Sequence, residues 1–296
     1  MSAAPLDLDA YCARIAYDGP RTATLATLQA IVRGHASAIP FENLDILLGR
    51  GISLAPAAIA DKLVGRRRGG YCFEHNTLLL TVLRRLGFDA VGLAARVAWR
   101  RPAGFVGPRT HMLLKVRLPE GAYLADVGFG GLTPTAPLAL IAGIAQATPH
   151  ETFRLTTLGD GFMLAARRGG EWRDLYCFSL EEQAPIDYEV ANWFTATHPH
   201  SPFVNHLMMA RAGEGCHYTL FDDKFAIRLR DGTSERRQLR DSTDLARVLA
   251  EHFGIAVAAA EAAAIAARVF GQDAADPFEG GGGSRDLRRF GGSDEP

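Results

Sequence analysis

Apolar residues recur at helical spacing over the first part of the chain. Residues 6–34 contain two such patterns, separated by a turn at Asp18-Gly19-Pro20. The second pattern places four apolar residues on one face: Leu25, Leu28, Ile31 and Val32. A further helix is predicted over 56–65, with Pro56 in its first turn, and the polar groups and proline within 35–49 predict an irregular, packed loop. The N-terminal section is therefore predicted to be mostly helical.

The stretch at 68–87, RGGYCFEHNTLLLTVLRRLG, combines a turn with a further helix. Gly69 and Gly70 permit a sharp turn, and Gly87 is a natural helix end. Between them, apolar residues follow at helical spacing: Leu79, Val82, Leu83 and Leu86. Cys72 is thus predicted to lie at or just before a helix N-terminus, where unpaired N–H groups and the helix dipole favour the nucleophilic thiolate.

From Asp89 the hydrophobic period changes to two. Residues 89–99 lack helical spacing, His111 to Leu118 alternates apolar and polar positions, and after Pro119-Glu120-Gly121 the chain returns over Tyr123 to Val127. Further strands are predicted between glycine-rich turns: Thr152 to Thr157, Gly161 to Ala166 and Trp172 to Phe178. The middle section is therefore predicted to be an antiparallel sheet or barrel.

The last section mixes both periods. Strands are predicted at Tyr218 to Arg228 and at Arg236 to Leu239, around a turn at Asp231-Gly232. Helices are predicted from Ser242 or Thr243 to about Phe253 and over Ala256 to Phe270. Residues 280–296 have few apolar groups to offset the entropy of ordering, so this tail is predicted to be disordered.

Composition narrows the classes of function. The 296 residues carry a formal charge of −1, which gives no global attraction for nucleic acid or an anionic membrane. The four cysteines form no pair with zinc-site spacing and are typical of free thiols in a reducing compartment: Cys12, Cys72, Cys177 and Cys216. The N-terminus lacks the apolar run of a signal peptide or membrane anchor, so we expect a cytoplasmic protein.

A cysteine nucleophile needs a base and a group that orients the base. His111 and Asp126 lie 15 residues apart on the two strands of one predicted hairpin. With a two-residue loop at 119–120, Asp126 falls opposite Leu113, one diagonal step from His111, whereas a four-residue loop would separate the pair. Both residues point away from the apolar stripe, which indicates a site rather than a core. The sequence thus predicts Cys72, His111 and Asp126 as catalytic candidates.

Each candidate also has a structural interpretation. A buried cysteine is more often an inert small hydrophobe than a nucleophile. A His–Asp pair on strands is often structural, and Asp126 before Gly128 is compatible with turn chemistry. The remaining histidines lack a comparable context. His198-Pro199-His200 suggests a metal, but no second ligand pair at useful spacing supports one, so no metal is expected.

Four motifs together resemble the arylamine N-acetyltransferases, in their order and with similar separations. They are IPFENLD at 39–45, RGGYCFEHN at 68–76, THMLL at 110–114 and ADVGFGG at 125–131. The segment YCARI at 11–15 is similar to the N-terminal segment of that family. The resemblance is strong over about the first half of the chain, and four ordered motifs are specific where one alone is modest.

The resemblance implies an α+β fold in three sections, with a cysteine-protease-like Cys-His-Asp core. The sections are a helical bundle at 1–88, an antiparallel β-barrel at 89–195 and an α/β lid at 196–279. It implies a catalytic triad of Cys72, His111 and Asp126, with three further residues bracing the turn that carries the cysteine: Arg68, Glu74 and Asn76.

The implied reaction moves an acetyl group from acetyl-coenzyme A through the cysteine to an arylamine, arylhydrazine or hydrazide, with coenzyme A leaving first. The candidate contacts of the pantetheine arm and acetyl group are Thr110, Gly128, Phe129, Gly130 and Gly131. The candidate aromatic residues of the acceptor pocket are Phe41, Phe129 and Phe203. We expect a monomer or homodimer that binds neither nucleic acid nor a membrane.

Three alternatives stay open from the sequence. The same triad serves relatives that are amide synthases acting on polyketide chains. It is also compatible with a cysteine hydrolase or a transglutaminase-like enzyme that uses the same Cys-His-Asp order. A non-catalytic coenzyme-binding protein is the third alternative, although an intact triad argues against it.

Overall fold

The computed structural model describes residues 6–102, 104–230, 232–272 and 274–278; the tail at 280–296, predicted to be disordered, lies outside them. The N-terminal section is helical, as predicted. Its helices are α1 (Leu8–Arg14), α2 (Leu25–Ala38), α3 (Leu44–Leu47), α4 (Pro56–Ala60), which continues in a π-helical turn (Asp61–Gly65), and α5 (Cys72–Arg85). The predicted loop at 35–49 is only partly irregular, because α2 extends into it and α3 forms one helical turn within it.

Eight antiparallel strands form the middle sheet: β1 (Asp89–Val97), β2 (His111–Leu118), β3 (Gly121–Ala125), β4 (Leu138–Ala139), β5 (Ala145–Ala147), β6 (Thr152–Leu158), β7 (Gly161–Arg168) and β8 (Glu171–Phe178). Their order is β4-β3-β2-β1-β8-β7-β6-β5. The two outer strands meet through one side chain, because the Gln146 amide accepts from Ala139 N at 2.7 Å and donates to Ala139 O at 2.9 Å. The sheet is therefore a nearly closed barrel.

The β2–β3 hairpin has the tight turn that the sequence analysis required. Leu118 pairs with Gly121 and Leu114 with Ala125, so the loop contains only residues 119–120, and the same register places Asp126 opposite Leu113. The expectation that this face of β2 lies away from the core was wrong. Leu113 is fully buried in the barrel interior, so His111 lies at one end of a second core rather than on an open face.

A helix that the sequence pattern did not predict follows the barrel. Helix α6 (Pro185–Thr197) contains residue 195, so the predicted boundary there falls inside it, and the last barrel strand ends at Phe178. The outer face of α6 carries Ile186 and Trp193, whereas its buried face includes polar Asn192. This reversed polarity hides the helix from a search for buried apolar residues.

The C-terminal section consists of a short helix, a four-stranded antiparallel sheet and two longer helices. They are α7 (Pro202–Asn205), β9 (Met208–Ala212), β10 (Cys216–Phe221), β11 (Lys224–Leu229), β12 (Ser234–Gln238), α8 (Ser242–Phe253) and α9 (Ala259–Val269). The predicted strand at Tyr218 to Arg228 is a hairpin, which turns at Asp222 and Asp223. Asp222 takes a left-handed conformation with φ 53°, which aspartate tolerates better than most residues.

The barrel packs on the helical section through one face of β2. Met112, Leu114 and Val116 join the core of the N-terminal helices, while Leu113 faces the barrel interior. A third core joins the C-terminal sheet to α8, α9 and Leu44 of α3. Among the described residues, no helix is long and apolar enough to cross a membrane. The start of β2 therefore lies where two hydrophobic cores meet, beside the start of α5.

Candidate active site

Cys72 is the first residue of α5, as predicted, and it is buried. The approach to it requires glycine, because a Cβ on Gly69 would lie 2.0 Å from Pro40 O. Its thiol donates a weak hydrogen bond to Thr110 O at 3.5 Å. This contact brings the start of α5 next to Thr110, the residue before β2. His111 follows Thr110 as the first residue of β2.

His111 and Asp126 form a buried pair in which Nε2 of His111 lies 2.7 Å from Oδ2 of Asp126. Burial lowers the pKa of His111, but the charge and hydrogen bond of Asp126, together with a hydrogen bond and charge from Cys72, outweigh it and raise that pKa to about 10. The imidazole thus carries a proton at neutral pH in this environment. Because Nε2 is bound to Asp126, Nδ1 is the ring nitrogen left for the cysteine.

The Asp126 carboxylate accepts four hydrogen bonds. Oδ2 accepts from His111 and from the Tyr176 hydroxyl at 2.9 Å, while Oδ1 accepts from Asn76 Nδ2 at 3.0 Å and from Gly128 N at 2.9 Å. Burial raises the pKa of Asp126, but the combined effect of His111, Gly128 and Asn76 is larger and lowers it below its usual value. The carboxylate is therefore charged and fixed in orientation. Tyr176 was not found from the sequence, where nothing in its local pattern marks it.

Asn76 joins three parts of the site, one turn after Cys72 on the same helix. Its amide nitrogen donates to Met112 O on β2 at 2.8 Å as well as to Asp126, and its oxygen accepts from Val127 N at 3.2 Å. These contacts tie α5 to both strands of the hairpin. The structure thus places Asn76 where the family resemblance implied a bracing residue.

A network of buried charges surrounds the turn before Cys72. Glu74 accepts from Tyr71 N at 3.1 Å and from Lys62 Nζ at 2.8 Å. Burial is the main cause that raises the pKa of Glu74, to about 7, against the opposing effect of Lys62. Arg68 pairs with Glu42 at 2.9 Å. Of these two residues, also implied to brace the turn, Glu74 bonds to it directly, and Arg68 is linked to it through Glu42, whose Oε1 also accepts from Gly69 N at 3.2 Å.

The glycine-rich loop after β3 lies directly against the cysteine. A Cβ on Gly128 would lie 2.7 Å from Cys72 Cα, so this position excludes a side chain. Gly130 has a left-handed φ of 82°. The Phe129 ring meets the His111 ring edge-on, with 5.2 Å between centroids. Gly128 therefore lies close enough to contact an acyl group held on Cys72, while the contacts expected of Phe129, Gly130 and Gly131 stay predictions.

The three aromatic residues predicted for the acceptor pocket lie in two places: Phe41 and Phe203 are neighbours, whereas Phe129 is next to His111. Phe41 is buried and lies 6.1 Å from the ring of Phe203, and it borders Gly130. The ring of Phe129 instead contacts the ring of His111. Phe278, which the sequence analysis did not select, packs against Gly131 so closely that a Cβ there would lie 2.6 Å from its ring. Aromatic side chains thus border the glycine loop on several sides.

Five of the other histidines lie in three separate pairs. His206 lies 2.8 Å from Asp222, the rings of His150 and His217 lie 4.7 Å apart, and those of His198 and His200 lie 5.5 Å apart. Over the ranges that the structure covers, no group of three or more histidine, cysteine, aspartate or glutamate side chains is placed to hold a metal ion.

Comparison with known proteins shows the family of the chain. A family model described as N-acetyltransferase matches residues 24–262. The arylamine N-acetyltransferase of Mycobacterium tuberculosis is 47% identical over 257 residues, covering 86% of this chain and 90% of the relative, and that of Escherichia coli is 42% identical over 251 residues, covering 84% and 89%. The structure of Mycobacterium marinum arylamine N-acetyltransferase in complex with CoA superposes with a TM-score of 0.85 at 42% identity, covering 89% of this chain and 99% of that one. The chain therefore belongs to the arylamine N-acetyltransferase family, a family of acetyl-transferring enzymes.

Proposed function

We propose that this protein transfers an acetyl group from acetyl-coenzyme A to an arylamine, arylhydrazine or hydrazide, through an acetyl-cysteine at Cys72. The observation that carries the proposal is the position of His111, hydrogen-bonded to Asp126 at 2.7 Å with Cys72 beside it. The names of the relatives and the relative solved with CoA support the substrates. Cys72, His111 and Asp126 are the proposed catalytic residues.

In the first half-reaction, the Cys72 proton already lies on His111, and the Cys72 thiolate attacks the thioester carbonyl. The bond between the carbonyl carbon and the coenzyme sulfur breaks, and the departing coenzyme thiolate takes the proton from His111. One thioester replaces another, so the exchange costs little bond energy. The charged Asp126 stabilises the imidazolium while it holds the proton.

In the second half-reaction, the amine attacks the acetyl carbonyl and the bond to Cys72 sulfur breaks. An arylamine is weakly basic and largely unprotonated near neutral pH, so its lone pair is available. Its proton passes to His111, and the product amide leaves with Cys72 restored. Because coenzyme A departs before the amine reacts, double-displacement kinetics are expected.

The loop at 128–131 and Thr110 are the proposed contacts of the acetyl group and pantetheine arm. Gly128 lies against Cys72 and the Thr110 carbonyl accepts from the thiol. Phe41, Phe129 and Phe203 are proposed to bind the ring of the acceptor, because aromatic faces suit an arylamine.

Intact-protein mass spectrometry tests the proposal. Wild-type protein mixed with acetyl-coenzyme A and no amine should gain one acetyl group, and an arylamine should remove it. Cys72→Ala should gain nothing, while Cys177→Ala, which changes a half-buried cysteine outside the site, should behave as wild type. A folded wild type that never gains the group would refute acetyl transfer, and loss of the group to water as fast as to amine would indicate a hydrolase.

A further inference from the structure

Three fully buried side chains outside the proposed catalytic triad form a continuous hydrogen-bonded chain. The Tyr11 hydroxyl lies 2.9 Å from Nδ1 of His35, and Nε2 of His35 lies 2.9 Å from Nδ1 of His75. Nε2 of His75 lies 3.1 Å from the carbonyl oxygen of Pro40. All three side chains have no exposed surface. The chain runs from α1 through α2 to α5 and ends at the residue before Phe41.

With both rings neutral, the terminal carbonyl fixes the direction of every hydrogen bond. A carbonyl only accepts, so Nε2 of His75 carries a hydrogen and its Nδ1 is bare. Nδ1 of His75 must then accept from Nε2 of His35, which leaves Nδ1 of His35 bare as well. The Tyr11 hydroxyl is the donor that satisfies it. Both histidines are thereby held as Nε2–H tautomers.

The surroundings keep the two rings uncharged. Burial lowers the pKa of His35 well below its usual value, and His75 and Arg14 lower it further. Burial lowers the pKa of His75 to about 4, although the Pro40 carbonyl and the charge of Glu42 oppose this and Lys62 adds to it. The Tyr11 hydroxyl keeps its proton because burial raises its pKa.

The far end of the chain reaches the candidate acceptor pocket. His75 is three residues after Cys72 on α5, and its ring stacks on that of Phe41, with centroids 6.4 Å apart and planes 16° from parallel. Phe41 in turn borders the glycine loop, since a Cβ on Gly130 would lie 3.5 Å from its ring. His75 therefore contacts both the peptide before Phe41 and the Phe41 ring itself.

We propose that Tyr11, His35 and His75 are positioning residues, which form a one-way, uncharged hydrogen-bond relay that fixes Phe41 for the binding of the acceptor amine. This inference rests on the proposed function. Tyr11 completes the relay by donating to the bare Nδ1 of His35. Without its hydroxyl, this buried nitrogen has no donor, which loosens the hold of His35 on His75 and so the hold of His75 on the Pro40 carbonyl and Phe41.

Ring ¹⁵N NMR of the histidines tests the relay in the folded protein. At pH 7, His35 and His75 should both be neutral Nε2–H tautomers, and Tyr11→Phe should shift the ¹⁵N resonance of the bare Nδ1 of His35, which loses its donor, while both rings keep their tautomers. Tyr17→Phe is the matched control, since the Tyr17 hydroxyl donates to Pro20 O, away from the relay. A charged or Nδ1–H ring in the wild type, or an unchanged His35 Nδ1 resonance in Tyr11→Phe, would overturn the proposal.

Half-reaction kinetics separate this inference from the proposed function. Tyr11→Phe and His75→Leu should raise the KM of an arylamine roughly tenfold, as expected for loss of one buried hydrogen bond. Acetylation of Cys72 by acetyl-coenzyme A should stay within about twofold of wild type, because the relay does not touch the triad. His75→Gln, which keeps an amide donor for Pro40 O, should recover part of the loss. If wild type is acetylated but these variants keep the wild-type amine KM, the relay has no positioning role.

Discussion

Tyr176 donates its hydroxyl hydrogen to Oδ2 of Asp126 across 2.9 Å, although the two residues lie 50 positions apart in the sequence. The same oxygen binds Nε2 of His111, and the Tyr176 and His111 rings lie 4.8 Å apart. The pairing of β8 with β1 carries Tyr176 next to the hairpin. The barrel thus supplies the His111–Asp126 pair with a further side chain. Tyr176 binds Oδ2 of the carboxylate, whereas Asn76 binds Oδ1.

Replacing Tyr176 with Phe should lower kcat/KM for acetyl transfer by about tenfold, because a charged carboxylate loses one of its donors. The pKa of Asp126 should rise, so the acid limb of the pH–rate profile should move to higher pH. Tyr188→Phe removes a longer hydrogen bond, of 3.3 Å, to Leu93 O and should leave both quantities unchanged. Equal profiles for Tyr176→Phe and wild type would show that the hydroxyl does not assist the triad.

The raised pKa of His111 predicts a loss of stability in alkaline solution. A folded-state pKa of about 10, above the ordinary 6.5, stabilises the fold fully below pH 6.5, and this contribution disappears as the pH rises toward 10. The free energy of unfolding, measured by urea titration at intervals across this range, should fall more steeply for wild type than for His111→Gln. Parallel curves would contradict the pairing of a charged His111 with Asp126.

Gly128→Ala should damage the site by sterics alone. The added Cβ would lie 2.7 Å from Cys72 Cα and 2.9 Å from Asn76 Nδ2, so α5 or the loop must move. We expect the unfolding free energy to fall by about 1–3 kcal/mol and Cys72 acetylation to fall more than about tenfold. Gly65→Ala, whose Cβ would meet only Asp61 at 3.6 Å, is the control. Unimpaired acetylation in Gly128→Ala would mean that this close contact is dispensable.

Phe278 is predicted to restrict access to the cysteine. Its ring lies against Gly131, and the segment before it is anchored by the Trp99 indole, which donates to Pro277 O at 2.7 Å. Phe278→Ala should therefore speed the alkylation of Cys72 by iodoacetamide several-fold, measured by intact mass. Phe105→Ala, which removes an exposed ring, should not change the rate. A rate in Phe278→Ala equal to that of wild type would refute this role.

The hairpin with His111 and Asp126 was predictable because a two-residue turn fixes the register of every pair that follows. The side chains that surround this hairpin could not be predicted from the sequence. Tyr176 reaches Asp126 only through long-range strand pairing, which leaves no local pattern. The same limit applies to the relay, since Tyr11 and His35 come together through the packing of two helices.

The errors in the predicted secondary structure also arise where the local sequence pattern carries no signal. Strands β4 and β5 contain two and three residues, too few to show an alternation. The turn at Asp222 was hidden because apolar residues continue on both sides of it and no glycine marks it. Helix α6 was missed because its large apolar residues, such as Trp193, face outward.

The side-chain amide of Gln146 covers backbone groups at the edge of the barrel sheet. Strands β4 and β5 stand at the two ends of the sheet order, and free strand edges are templates for pairing with another chain. By bonding to both the N–H and the C=O of Ala139, this side chain occupies backbone groups that an incoming strand would seek. The seam of the barrel is thus closed against foreign strands by a residue that takes no part in the proposed chemistry.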